Sequence, residues 1–190
     1  MLEKIKQEDY YMNLKLVFPT EEQEAMWRDI VVEFEKEDEK IIPYALSFGL
    51  HDFSMFLQKT LDFHNSKNLA DFVPGTTYFL MDEKEDKIFG AVNIRHSLNQ
   101  DLLFRGGHIG YGIRPSQRRK GYATKMLNLA LEQCRELGLK KVLVTCDKEN
   151  IGSAKTITNN GGILENEVIE RSGNIVQRYW IILHIGTQTE

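Results

Sequence analysis

Very little in this chain would cross-link it, stiffen it or hold it in a membrane. It has two cysteines and four prolines in 190 residues. Cys134 and Cys146 sit at no metal-ligand spacing and the five histidines do not cluster, so no metal is expected. Cys134 falls on an apolar helical stripe. Cys146 ends an apolar run, close enough to a candidate site to approach a ligand. Both are assigned to the core. Two unpaired cysteines suit a reducing cytoplasm. No apolar run could span a bilayer, and MLEKIKQEDYYMN at the N-terminus lacks the apolar centre of a secretory signal, so no membrane partner is expected. A net charge of −4 is too mild and of the wrong sign for bulk nucleic-acid binding. Repeats, linkers and low-complexity segments are missing, and 190 residues make one domain with a sizeable core. No GxGxxG follows a strand. Gly152-Ser-Ala-Lys155-Thr156 only mimics a P-loop, which needs glycine where Glu149 and Ala154 stand.

What the chain does have is concentrated between Gly106 and Leu137. Gly106, Gly107, Gly110 and Gly112 crowd into a segment where Ile109, Tyr111 and Ile113 keep a strand's alternation. Glycines inside a strand mark a bulge or the close approach of another backbone, so this strand is expected to leave an edge open to a ligand. Arg118-Arg119-Lys120-Gly121-Tyr122-Ala123 follows as a basic glycine turn. A helix then places Ala123, Met126, Leu127, Ala130, Cys134 and Leu137 on one face, with Gly138 as its stop. The first turn of such a helix has N–H groups without intrahelical partners and a partial positive charge, and Gly121 lets a ligand approach the backbone. With Arg114 and Lys125 also nearby, this predicts a site for a phosphate-bearing ligand rather than a solvated basic cap. Lys141 to Cys146 is the next strand. Strand, helix and strand in this order suggest a parallel pair with a crossover helix. Asp147 to Asn150 then leads into a second helix over Ser153 to Asn160.

The first seventy residues carry less signal. Leu14 to Phe18 reads as a strand, and Pro19-Thr20-Glu-Glu opens a helix to about Glu39, its acidic end solvated. Ile41 to Leu69, with Tyr44, Phe48, Phe53, Phe56, Leu57 and Leu61, reads as helical and mostly buried. Phe72 to Met81 and Ile88 to Arg95 read as strands around the charged turn Asp82 to Lys87. Arg95 and Arg105 bound a loop. Recognition of a carboxylate is one reading of them, and solvated loop charge is the other.

Arg118-x-x-Gly121-x-Ala123 after Ile113-x-Pro115 resembles the acetyl-CoA signature of the GNAT superfamily, Arg/Gln-x-x-Gly-x-Gly/Ala. Asn150-x-x-Ser153, with the helix and Asn160-Gly161-Gly162 after it, resembles the family's next motif. His108-Ile109-Gly110-Tyr111 is similar to the Glu-Ile-Gly-Tyr strand of the branch that includes ribosomal-protein N-terminal acetyltransferases. The resemblance runs from about Tyr78 to Trp180. It implies a mixed α/β fold in one domain over 1–190: a central twisted, largely antiparallel sheet with one splayed parallel strand pair and helices on both faces. Residues 1–75 would shape the acceptor side and 76–185 the acetyl-CoA core. The pantetheine arm would enter the splay and bond to backbone like an added strand. By motif position Tyr111, Gly112 and Ile113 would face the arm. Arg118, Arg119, Lys120, Gly121, Tyr122 and Ala123 would hold the pyrophosphate, and Asn150 and Ser153 would contact the cofactor. The family's usual tyrosine acid is replaced by Ile157, and its usual Gly-Phe by Gly161-Gly162. The branch with Asn-x-x-Ser uses the serine, so Ser153 becomes the candidate acid.

The expected function is acetyl transfer from acetyl-CoA to a primary amine by direct attack, in the cytoplasm, by a monomer or homodimer. A base must first take the amine's proton. His108, at the glutamate position of the similar strand, is the candidate base, with an ordinary pKa suited to neutrality, and a histidine bonded within the sheet is the competing reading. Glu149 and Glu165 are weaker candidates. A backbone N–H near Ile113 would receive the oxyanion. For Ser153 the competing reading is a helix cap. The alternatives for the whole chain are a non-catalytic acyl-CoA sensor and, more distantly, a nucleic-acid module built on the basic turn.

Overall fold

Two strands are buried on both faces, so their apolar residues do not alternate with polar ones. In the computed structural model, which describes residues 13–67, 72–82 and 85–183, these are β2 (Gly75–Asp82) and β3 (Glu85–Arg95). Phe79, Met81, Ile88 and Ala91 point into one core. Leu80, Phe89, Val92 and Ile94 point into another. β1 (Leu14–Val17) and β4 (Ile109–Ile113) complete an antiparallel sheet in the order β1-β2-β3-β4. β5 (Lys141–Asp147), β6 (Ile163–Ile169) and β7 (Ile175–Ile182) form a second antiparallel sheet in the order β5-β7-β6.

One core lies against α1 (Glu24–Lys36) and α2 (Phe53–His64), where Trp27 stacks on Phe56 and Phe56 on Phe79. The expected helix over 41–69 is broken instead. A short 3-10 turn covers Tyr44–Ser47, and the chain turns at Gly49 and His51, both at positive φ, before Asp52 caps α2 by accepting from the Met55 N–H. Tyr44 and Leu61 are exposed. Leu69 and part of the charged turn after Asp82 lie outside the described residues.

The other core is built on α4 (Tyr122–Glu136), whose buried face is Tyr122, Met126, Leu127, Ala130, Leu131 and Cys134. The stripe read from the sequence is right in its middle and wrong at its C-terminal end. Leu137 is exposed, because there the chain leaves the helix through Gly138 at positive φ, with Leu139 N–H bonded back to the Cys134 carbonyl. Cys134 and Cys146 are both buried in this core. The remaining helices are α3 (Gln100–Phe104), which interrupts the expected loop, and α5 (Ile151–Asn159).

The strand pair joined by α4 is β4 and β5, and the two form no ladder. They are tied just before β4 begins, by the His108 N–H to the Leu143 carbonyl at 2.8 Å. Beyond that point β4 pairs with β3 and β5 with β7, so the two sheets part and β4 keeps an open edge. The glycines explain how the chain gets there. Gly107 has φ +62°, and an added methyl would strike the Leu143 carbonyl oxygen. At Gly112 an added methyl would strike the Ile42 carbonyl oxygen. Both glycines therefore admit another backbone, and Gly112→Ala is expected to destabilise the fold by about 1–3 kcal/mol, the usual range for forced overpacking. Urea unfolding measures it, and an unchanged midpoint would show that the 42–43 segment is free to shift.

Candidate active site

The open edge of β4 has a definite polarity. Arg95 N–H bonds to the His108 carbonyl and Arg114 N–H to the Phe89 carbonyl, and β3 and β4 keep one register between them. Antiparallel bonding alternates, so the His108 carbonyl, the backbone groups of Gly110 and Gly112, and the Arg114 N–H face β3. The N–H groups of Tyr111 and Ile113 therefore point outward, away from β3, to where β5 would have paired. A cleft of about 870 Å³ opens there. Tyr111, Gly112 and Ile113 form one wall, and the starts of α4 and α5 form the others.

The turn after β4 brings Arg118, Arg119, Gly121, Tyr122, Ala123 and Thr124 to the cleft. Gly121 is the N-cap of α4 at φ +83°, a left-handed conformation that a glycine adopts without strain. The first bond of the helix runs from the Lys125 N–H to the Gly121 carbonyl at 3.2 Å. The amides of Ala123 and Thr124 precede it, at the positive end of a 15-residue helix. The basic side chains divide. Arg118 lines the cleft, but its guanidinium grips both oxygens of Glu39, at 2.7 and 2.5 Å, and donates to the Ile113 carbonyl. Arg118's hydrogen bonds hold Glu39 below the usual carboxylate range. Lys120 and Lys125 do not line the cleft, and Lys120 donates to the Gln117 side chain at 2.9 Å. Arg114 is buried away from the cleft, between Asp29, Glu33 and the Ile88 carbonyl, and anchors α1 to the end of β4.

On the α5 side, Asn150 is the N-cap, accepting from the Ser153 N–H at 3.0 Å. Ser153 is therefore not the cap. Its Oγ lies 2.9 Å from the Tyr111 hydroxyl, across the cleft wall from β4. Burial pushes the Tyr111 phenol up to about 12, so it stays protonated at neutral pH. Ile157, where the resembling family has its tyrosine, is fully buried, and its side chain packs where a Gly162 methyl would stand. Gln117, Thr124, Glu149 and Lys155 also line the cleft; of these only Glu149 was singled out from the sequence, as a weaker candidate base. Lys155 lies four residues after Ile151, on the same face of α5. That helical spacing was the available signal.

His108 is elsewhere. It is buried at the junction of the two sheets and does not line the cleft. Its Nδ1 accepts from the Leu143 N–H at 3.0 Å, and its ring meets Trp180 edge-on. Burial, with the Arg95 charge second, pushes the imidazole down to about 4. Glu165 pairs with Arg178 at 3.1 Å on the second sheet. Arg105 is exposed and pairs with Asp147 and Glu170 at the surface, as a solvated charge would, whereas Arg95 is held by the Gly106 and Gly107 carbonyls and is not a solvated loop charge.

Residues 14–163 match a family described as the acetyltransferase (GNAT) domain. No curated protein matches the chain. Among solved structures it is similar to a ribosomal L7/L12 α-N-protein acetyltransferase in complex with coenzyme A (TM-score 0.67, 14% identity, 90% of this chain and 95% of that one). It is also similar to the microcin C7 self-immunity acetyltransferase in complex with acetyl-CoA and AMP (0.63, 18%, 90% and 93%). A third is a spermidine/spermine N-acetyltransferase from Vibrio cholerae (0.60, 18%, 90% and 94%). At these identities the likeness is one of fold. Among the described residues no helix is long and apolar enough to cross a membrane.

Proposed function

The chain belongs to the GNAT acetyltransferase family, and on that premise we propose that its cleft holds acetyl-CoA and passes the acetyl group directly to a primary amine. The observation that carries this reading is the unpaired edge of β4 running straight into the Gly121 turn and the start of α4. The pyrophosphate sits on the amides of the first turn of α4, with Arg119 and Lys155 supplying charge. Arg118 shapes the turn through Glu39 rather than serving as a free cation. The pantetheine arm lies along β4 as an added strand. Residues up to about 75 form the acceptor side and those from about 76 to 185 the cofactor core. Two free cysteines suit a reducing cytoplasm.

The amine nitrogen attacks the acetyl carbonyl carbon. An N–C bond forms, the C–S bond breaks, the nitrogen loses a proton, and the thiolate leaves as CoA and takes a proton. The outward N–H of Ile113 is placed to receive the oxyanion. Tyr111 and Ser153 together take the part left vacant by Ile157: a hydroxyl pair at 2.9 Å that donates to the departing sulfur. His108 does not fit the base. It lies outside the cleft, one ring nitrogen is occupied, and a conjugate acid near 4 accepts a proton weakly. Glu149, on the cleft wall, or a water chain takes the proton instead.

The reading is tested by thiol release from acetyl-CoA with a broad amine panel. Tight acetyl-CoA binding without release for any amine would make the chain a sensor. A finer test addresses the acid. Ser153→Ala and Tyr111→Phe are each expected to slow single-turnover transfer roughly tenfold, about 1.4 kcal/mol of barrier, with acetyl-CoA affinity nearly intact. Because the two hydroxyls act as one unit, the double variant should lose little more than either single one. Fully additive losses would separate their roles.

A further inference from the structure

A second cavity, of about 290 Å³, lies on the other side of the Ile42–Pro43 segment from the cofactor cleft. Ile42 lines the cleft, while Tyr44 and Ala45 line the cavity. Gly110 of β4 stands between them. Its missing side chain leaves room for Pro43 and for the Arg95 guanidinium, whose Nη2 lies where it would be 3.3 Å from an added methyl. The next residue, Tyr111, is already in the wall of the cofactor cleft. Arg95, which lines this cavity, therefore reaches the strand position that precedes the wall of the cofactor cleft.

The cavity's chemistry is specific. One side is aromatic, made by Tyr44, Phe48, Phe63 and Phe72. Arg95 is its cation. Nη1 donates to the Gly106 and Gly107 carbonyls, both at 3.0 Å, which fixes the orientation of the fork. No carboxylate among the described residues pairs with it, in contrast to Arg105, Arg114 and Arg118. A desolvated guanidinium without an anionic partner is costly, and a carboxylate is the group its planar fork fits best. Burial pushes its pKa down to about 10, as expected of a cation with no opposite charge beside it. The other charged group of the wall, Asp101, is exposed on α3 and disfavours a second negative charge on the ligand. A cavity of this size is at the small end for ligand sites, too small for an extended peptide.

We infer that the acceptor is a free α-amino acid with an apolar or aromatic side chain, its carboxylate held by Arg95, its side chain against the aromatic wall and its amine directed past Gly110 to the thioester. This rests on the acetyl-transfer reading above and narrows its acceptor. A carboxylate on the same carbon as the amine is what lets one arginine, fixed beside Gly110, orient the nucleophile.

The test compares matched acceptors in a thiol-release assay: phenylalanine and leucine, their amides, their decarboxylated amines, and spermidine. The acids are expected to exceed the amides and the decarboxylated amines at least roughly tenfold in kcat/KM, since a site built to bond a group rejects analogues that lack it. Arg95→Lys, which keeps the charge and loses the fork, should shrink that preference mainly through KM. The acceptor series on the unaltered protein carries the test even if the variant folds poorly. Turnover of amides, amines or spermidine as good as that of the acids overturns this inference and leaves acetyl transfer standing. Acetyl-CoA binding with no thiol release for any acceptor overturns the transfer reading itself, and this inference with it.

Discussion

Gly121→Glu should abolish acetyl-CoA binding in a protein that still folds, weakening it at least ~10²-fold, about 2.7 kcal/mol. Two causes combine. Gly121 lines the cleft at the start of α4, where the pyrophosphate is proposed to sit, so the substitution puts a carboxylate against the phosphates. Its φ of +83° also strains any residue with a Cβ, by roughly 1–2 kcal/mol. Gly121→Asn separates the two causes. Asparagine tolerates left-handed backbone and carries no charge, so it should fold and keep most of the affinity. Calorimetry on both variants decides the matter. Wild-type affinity in folded Gly121→Glu would remove the phosphates from this turn.

His108 should govern stability rather than rate. Its folded pKa of about 4 lies below the ordinary value for histidine, so below neutrality the unfolded chain binds the proton that the folded one refuses. The stabilisation is complete above about pH 6.5, is lost as pH falls through the window between the two values, and amounts to about 3 kcal/mol. His96, also pushed down by burial and then by the His64 charge, adds a slope of the same sign. The informative variant is His108→Asn. It keeps an acceptor for the Leu143 N–H and cannot titrate, so its stability should change much less between pH 7 and 5 than the wild type's. His108→Ala, which leaves that buried N–H unpaired beside a cavity, should cost several kcal/mol at pH 7, on the order of 2–5, and less at pH 5, where the wild type has itself lost stability. Urea unfolding at the two pH values reads both effects. A folded His108→Asn with wild-type pH dependence of stability and a 10²–10⁴-fold slower rate would return His108 to the role of base.

A likeness to the glutamate position suggested His108 as the base from sequence alone. Residue type and position cannot say which side of a strand faces a cleft. That depends on where β4 leaves β5, and the departure is set by the Gly106–Gly107 crossing over Leu143. Similarly, Arg118 belongs to a motif that implies a phosphate ligand. Only the packing of the end of α1 against the turn showed that Glu39 already holds it.

Local chemistry alone determined a good deal. The Gly121 turn, the amphipathic middle of α4, its glycine stop and the glycine strand are encoded by residues within a few positions of one another, and each was legible in the sequence. The last helix was legible too, but its start and cap were placed at Ser153 where the structure has Ile151 and Asn150. The family was legible because its signature is short and contiguous. Tertiary structure decided what depends on residues far apart in the chain. Tyr111 and Ser153 are 42 positions apart, and their hydroxyls meet because the two sheets part where they do. Arg95 meets Gly110 and the aromatic wall because the segment between α1 and α2 lies against β4. Helix periods and turn residues fix local geometry. Which side chains share a cavity is fixed by how the layers pack, and no spacing along the chain records it.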